Sequence, residues 1–375
     1  MNYYIIPKNN FKTRIYLQIT NQKIKPYMSY SLIFYLNDIY SQLFKLTDTP
    51  NQLDEVTIDY VNKIVNPFEF IHTNVPGSLL SVSKVKPDAN IFFELMEIFQ
   101  LFNLNELLSS KSKINIAHLT PNYSSTNYLL NMLREDNDDN ILCEDFVYNK
   151  LFDLFITNKS PDKLDLLICE YKPCEYINTN KYINNMLLVF LIIIKYQSNQ
   201  GTCIIKIDNI FYKAIIDIIF ILSSLYDKIY LVKPSISNIT KGERYVICKS
   251  FNSRISDDIN LDKEIEEKII RKISIDDELS VETLIQNEIP YYFLNKLEES
   301  NTVIGQQQLE AYDQIINIYK NKNRDEKIET LKRNHIQKCI QWCEKNQLPH
   351  NKFIDKVNIF LTPRKKEQEE ELISV

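Results

Sequence analysis

Residues 201–251, GTCIIKIDNIFYKAIIDIIFILSSLYDKIYLVKPSISNITKGERYVICKSF, constrain the fold more than any other stretch of the chain. An apolar run of strand length ends at Lys206, a helical segment follows, a second run ends at Lys233, and a third opens just after Glu243. Strand, helix, strand, loop, strand in this order points to an α/β sheet, because parallel strands need a crossover long enough to hold a helix. Sheets of this kind gather ligands at the carboxyl ends of their strands. Lys206 and Glu243 are therefore expected at one edge, where a lysine and a carboxylate can activate a hydroxyl without a metal.

The same alternation extends upstream. Leu164–Cys169, LDLLIC, and residues 114–119, INIAHL, read as buried strands, and Met186–Ile194 reads as part of a core helix. Helices are expected over about 89–101, entered through Pro87 and Asp88, and over 124–134. Residues 29–44 have amphipathic helical spacing, and the acidic cluster at 135–139 reads as a solvated loop. Beyond Arg254 the segments from 275 to about 346 are read as helical throughout. The expected organisation is an N-terminal extension over 1–65, an α/β core over 66–254, a helical domain over 255–362 and a loose charged tail over 363–375.

Composition narrows the function classes. Hydrophobic residues at 44% and charged residues at 25% describe a globular chain rather than a disordered one. A net charge of −5 argues against a generally basic nucleic-acid coat, so any RNA contact must be local. The Met186–Ile194 run is short of the roughly 20 residues a membrane span requires, and the N-terminus lacks the order of a signal peptide. An intracellular, cytoplasmic protein with no membrane partner is expected. The seven cysteines lack paired zinc spacing, Cys339 and Cys343 having no second pair nearby, so reduced buried thiols and no metal site are expected.

Gly201-Thr202-Cys203-Ile204-Ile205-Lys206, then Lys233-Pro234-Ser235-Ile236-Ser237-Asn238 and Gly242-Glu243-Arg244-Tyr245, resemble the carboxy-terminal half of the FtsJ-like RNA ribose 2′-O-methyltransferases. That family includes viral and eukaryotic mRNA cap methyltransferases, and the Asn/Ile/Lys/Tyr-rich composition is similar to that of proteins from AT-rich large DNA viruses. The resemblance covers about residues 66–251 and is specific in the last fifty. It implies a Rossmann-like, S-adenosylmethionine-dependent methyltransferase sheet with helices on both faces, a C-terminal helical domain, capped mRNA as substrate, and capping or transcription proteins as partners. A viral member would act in the host cytoplasm or the virion.

The resemblance also implies site residues, and here the chain departs from the family pattern. Lys206 and Glu243 take two positions of a Lys-Asp-Lys-Glu tetrad, with a lysine of depressed pKa acting on the hydroxyl. Glu170 stands at the aspartate position, and Glu94 stands where the first lysine is expected, leaving Lys84 as a basic substitute nearby. The cofactor loop corresponds to His118, Thr120, Pro121, Asn122 and Tyr123, with Glu170 at its edge, and it lacks the family's glycines. Lys86, Lys233, Lys241 and Arg244 form an expected RNA-binding rim, and Tyr171 and Tyr123 are aromatic candidates for stacking. Two readings stay open: an enzyme with a remodelled loop, or a silent methyltransferase-like subunit that binds RNA or a partner.

Overall fold

The computed structural model describes residues 2–10, 14–47, 58–104, 106, 111–134, 139–144, 163–171, 178–254, 263–274, 280–321 and 324–353. The tail at 363–375 and most of the acidic cluster at 135–139 lie outside these residues. In chain order the elements begin with β1 (Asn2–Ile6), β2 (Ile15–Thr20), α1 (Tyr30–Thr47), α2 (Ile58–Val65), α3 (Glu69–His72) and α4 (Ile91–Leu101). The central part contains β3 (Asn115–Leu119), α5 (Tyr123–Leu133), β4 (Asn140–Glu144), β5 (Leu164–Cys169), α6 (Thr179–Tyr196) and β6 (Gln197–Ile207). Next come α7 (Lys213–Leu225), β7 (Tyr226–Lys233) and β8 (Arg244–Phe251), and the chain ends in α8 (Lys263–Ser274), β9 (Ser280–Ile285), α9 (Tyr291–Lys320) and α10 (Arg324–Lys345).

Seven strands form one sheet in the order β1-β7-β8-β6-β5-β3-β4. β4, β3, β5 and β6 are parallel neighbours, while β8 is inserted antiparallel between β6 and β7. This is a Rossmann-like α/β sheet with helices on both faces. The N-terminal β1 adds an antiparallel edge strand on β7, which the sequence reading had not assigned.

Burial explains the layers. α6 is buried at Tyr182, Ile183 and Asn185–Ile193, so it is apolar all round and sits beneath other elements. Its first turn is capped by Asn178, whose side chain accepts from the Lys181 N–H. α6 and α7 cover one face together with β9 and the start of α9. α4 and α5 cover the other face, joined there by the second half of α9 and by α10. The 30-residue α9, about 45 Å long at 1.5 Å per residue, therefore contributes to both layers. It meets α1 closely, since a Cβ at Gly305 would lie 2.3 Å from Leu32 Cδ1.

One sequence expectation is overturned. Residues 280–285 are not helical but form β9, which pairs antiparallel with β2 in a separate two-stranded sheet. Such a ribbon is marginal alone. Here Asp217 on α7 accepts from the Leu284 N–H at 2.8 Å and from the Thr283 hydroxyl, holding β9 on the core.

Candidate active site

The site is built around a buried contradiction in α4. Every residue from Ile91 to Phe99 is buried, including Glu94 and Glu97, and a carboxylate inside an apolar helix must find partners. Glu97 accepts from the Ser235 hydroxyl and from the Ile236 N–H at 3.3 Å, which pins the loop between β7 and β8. Glu94 accepts from the Tyr245 hydroxyl and from Lys206 at 2.9 Å. Lys206 and Tyr245 are directly opposite across the β6–β8 ladder, so both side chains reach the same carboxylate.

Three carboxylates surround the Lys206 ammonium. Its Nζ lies 2.9 Å from Glu94, 3.3 Å from Glu170 and 3.3 Å from Glu243. One positive charge against three negative charges leaves two negative charges in excess. Burial alone would lower the lysine pKa, but Glu94, Tyr245, Glu170 and Glu243 together hold it well above its ordinary value. Burial opposes ionisation of Glu94 too, yet Lys206 and the Tyr245 hydrogen bond hold its pKa low. Lys206 is thus an ammonium that cannot accept a proton. This corrects the expected lysine of depressed pKa: the second cation that would depress it is replaced by Glu94.

The loop after β3 is tied to the same cluster. Glu170 accepts from the Thr120 hydroxyl at 2.7 Å and from Asn122 Nδ2 at 3.2 Å, while Thr120 Oγ1 accepts the Asn122 N–H at 3.1 Å. The extra methylene of glutamate lets one carboxylate span Lys206 and the loop. None of residues 118–124 has positive φ, so this turn does not require glycine. Pro121 and Asn122 are partly exposed, and Tyr123 opens α5 half-exposed. Thr120 is fully buried and Glu170 nearly so, so Pro121, Asn122 and Tyr123 are the part of this loop that a ligand at the strand ends can reach. His118 does not belong to that part. It is fully buried in β3, 3.8 Å from Cys143 Sγ, and burial drives its pKa down to about 3.

The structure separates the other expected residues. Lys84 is exposed and neither pairs with the glutamates nor lines their cleft. Lys233 is buried and donates to the carbonyls of Asn238, Lys241 and Glu243, so it shapes the loop instead of meeting phosphate. Burial, then Arg244, lowers its pKa to about 8. Arg244 is also buried and donates to Gly242 O, Ser300 Oγ and Asn301 Oδ1. Tyr171 is buried with its hydroxyl on Met186 Sδ, which removes it as a stacking group. Lys84, Lys86 and Lys241 remain exposed.

Two cavities flank Glu243. A cleft of about 280 Å³ is lined by Glu94, Lys206 and Glu243 on one side and by Asn66, Glu69 and His72 on another. A second cavity of about 410 Å³ includes Tyr40, Asp208, Asn209, Gln308 and Tyr312. Sequence reasoning missed Tyr245, Glu97, Asn66 and His72. The pair Glu94 and Glu97, one turn apart in an otherwise apolar helix, was the available signal for the first two.

No protein-family profile matches the sequence, and no curated protein matches it. Among solved structures, a Plasmodium falciparum protein assigned as a ribosomal RNA methyltransferase is 14% identical, covering 44% of this chain and 97% of its own at a TM-score of 0.33. A Listeria monocytogenes protein assigned as a class I S-adenosylmethionine-dependent methyltransferase is 11% identical, covering 66% and 92% at 0.30. A Corynebacterium glutamicum protein assigned as a spermidine synthase is 10% identical, covering 55% and 80% at 0.28. At these values the likenesses decide nothing about chemistry. Among the described residues no helix is long and apolar enough to cross a membrane.

Proposed function

We propose that the chain is an S-adenosylmethionine-dependent methyltransferase acting on an RNA ribose 2′-hydroxyl, with capped mRNA as its substrate class. The observation that carries this reading is the convergence of Lys206, Glu170 and Glu243 beside the loop at 118–124, at the strand ends where α/β sheets bind ligands. Asn122 and Tyr123 would meet the cofactor, with Thr120 and Glu170 fixing the loop behind them; the cofactor supplies an electrophilic methyl group when bound. Lys206 acts as a fixed cation that orients the three carboxylates, and Glu243, the most exposed of them, faces both cavities. The larger cavity, with the Tyr40 and Tyr312 rings near amide and carboxylate groups, is of a size that suits a nucleobase.

A specific observation favours a second reading. With Glu94 in place of a lysine, the cluster carries two excess negative charges, as expected of a methyltransferase-like subunit that has lost catalysis and retains RNA or protein binding. Isothermal titration with S-adenosylhomocysteine, followed by methyl transfer to capped and uncapped RNA, separates the two. The enzyme reading expects a Kd on the order of micromolar and transfer to at least one RNA. Absence of both leaves the silent subunit.

RNA binding has its own expected result. With only Lys84, Lys86 and Lys241 exposed among the proposed basic residues, single-stranded RNA affinity should fall with salt at a log–log slope of about −2, at ~0.7 per phosphate contact. A slope of about −3.5 would mean that Lys233 and Arg244 become accessible, against their buried geometry.

A further inference from the structure

Lys206 cannot accept the proton of an incoming hydroxyl, so that role falls to another group in the cleft beside it. His72 lines that cleft across from Glu94, Lys206 and Glu243. It closes α3 and stands edge-on to Phe93 with ring centroids 6.2 Å apart. The other histidines are excluded: His118 is buried in the sheet, His335 donates Nδ1–H to Ile64 O, and His350 lies by Glu344. His72 makes no hydrogen bond or ion pair among the described residues, so its ring nitrogens remain available.

The neighbouring wall repeats the pattern. Asn66 is 4% exposed, its Nδ2 donates to Glu69, and its Oδ1 has no hydrogen-bond partner among the described residues. A buried acceptor without a donor marks a place where a donor is expected. Burial, against Glu69 and with Lys86, lowers the His72 pKa below its ordinary value. Glu94, Lys206, Lys241 and Glu243 are the other charged groups on the cleft walls. A neutral imidazole at pH 7 can accept a hydrogen bond, whereas the Lys206 ammonium can only donate.

Resting on the methyltransferase reading, we propose that His72 accepts the hydrogen bond of the ribose 2′-hydroxyl brought into this cleft and takes its proton during transfer, with Asn66 Oδ1 left to accept from a different donor of the same nucleotide. In that step the hydroxyl oxygen bonds to the methyl carbon, the methyl–sulfur bond breaks with its electron pair going to sulfur, and the proton passes to the imidazole and then to solvent.

The test is imidazole ¹H–¹³C NMR of the native protein, titrated with an oligoadenylate RNA and with the DNA oligomer of the same length. His72→Gln assigns the signal. The expected result is a shift of the His72 resonance with RNA that DNA does not produce, while the His118 and His335 resonances stay fixed. Equal shifts with both oligomers, or none with RNA, overturn the proposal whether or not the protein transfers methyl groups. Loss of transfer with an intact RNA-specific shift instead overturns the methyltransferase reading and leaves His72 as the hydroxyl acceptor. Where transfer occurs, the acid limb of kcat/KM should follow the His72 titration and vanish in His72→Gln. An unchanged limb overturns its proton-accepting role.

Discussion

Lys206→Met is expected to lower stability by about 3–5 kcal/mol, the usual cost of removing one partner from a buried ion cluster. The substitution leaves the chain shape nearly unchanged while Glu94, Glu170 and Glu243 lose their common counter-ion. Glu94 is the most affected, because its pKa is held low against burial chiefly by Lys206. In the native protein Glu94 contributes stability that is present above its unfolded pKa and lost as pH falls through its lower folded pKa. The variant reverses this, so acidification toward pH 5 should restore part of its loss by protonating the orphaned carboxylates. Combining Lys206→Met with Glu94→Met should recover most of the remainder. Urea midpoints across pH measure all three, and a Lys206→Met loss below about 1 kcal/mol would show that the cluster is solvated rather than closed.

The second large effect is acid sensitivity from two buried histidines. Burial holds His118 down to about 3, and burial together with Lys338 holds His335 down to about 4. Both are neutral in the fold, while in the unfolded chain they titrate near 6.5. Their contribution is therefore complete above about pH 6.5 and declines as pH falls toward the folded values. At 1.36 kcal/mol per unit, the two together should remove about 5 kcal/mol between pH 7.5 and 4.5. Asp208 and Asp217, whose pKa values are raised chiefly by burial, oppose this at the acidic end. His118→Leu should halve the slope at little cost at neutral pH, because His118 Nε2 has no hydrogen-bond partner among the described residues and Nδ1 gives up only the long 3.8 Å contact with Cys143 Sγ. An unchanged slope in that variant would remove His118 from the account.

Much of the fold was legible because its information is local. β3, β5, β7, β8 and the second half of β6 are mostly apolar runs of strand length, and α4, α5, α6 and α7 are longer runs of helical length set off from them by polar or turn residues. β9 was not legible, because its strand state depends on β2, whose residues lie more than 250 positions earlier. Lys206, Glu170 and Glu243 could be placed together since strand order alone carries them to one edge. The fates of Lys233 and Arg244 could not be read: each charge is buried by carbonyls or by α9 side chains that sequence does not bring alongside. Glu94 was visible as a departure, but only the three-dimensional site shows that it inverts the chemistry of Lys206. His72 carries no sequence signal, since its significance is a shared cavity wall.

The attachment of α9 has a mechanical consequence for Glu243. Arg244 grips Ser300 and Asn301, while Gln308 and Tyr312 both donate to the Thr240 carbonyl at 3.2 and 2.8 Å. The segment 240–244 is thus strapped to a rigid rod at two points, separated along the helix by roughly 10–18 Å at 1.5 Å per residue. A rod fixed in this way acts as a lever: an axial slip of α9 must drag the Glu243 carboxylate relative to Lys206. Thermodynamic linkage makes the coupling run both ways. Whatever grips the outer face of α9 will retune the charge cluster, and whatever fills the cleft beside Glu243 will alter how firmly α9 holds its own partners.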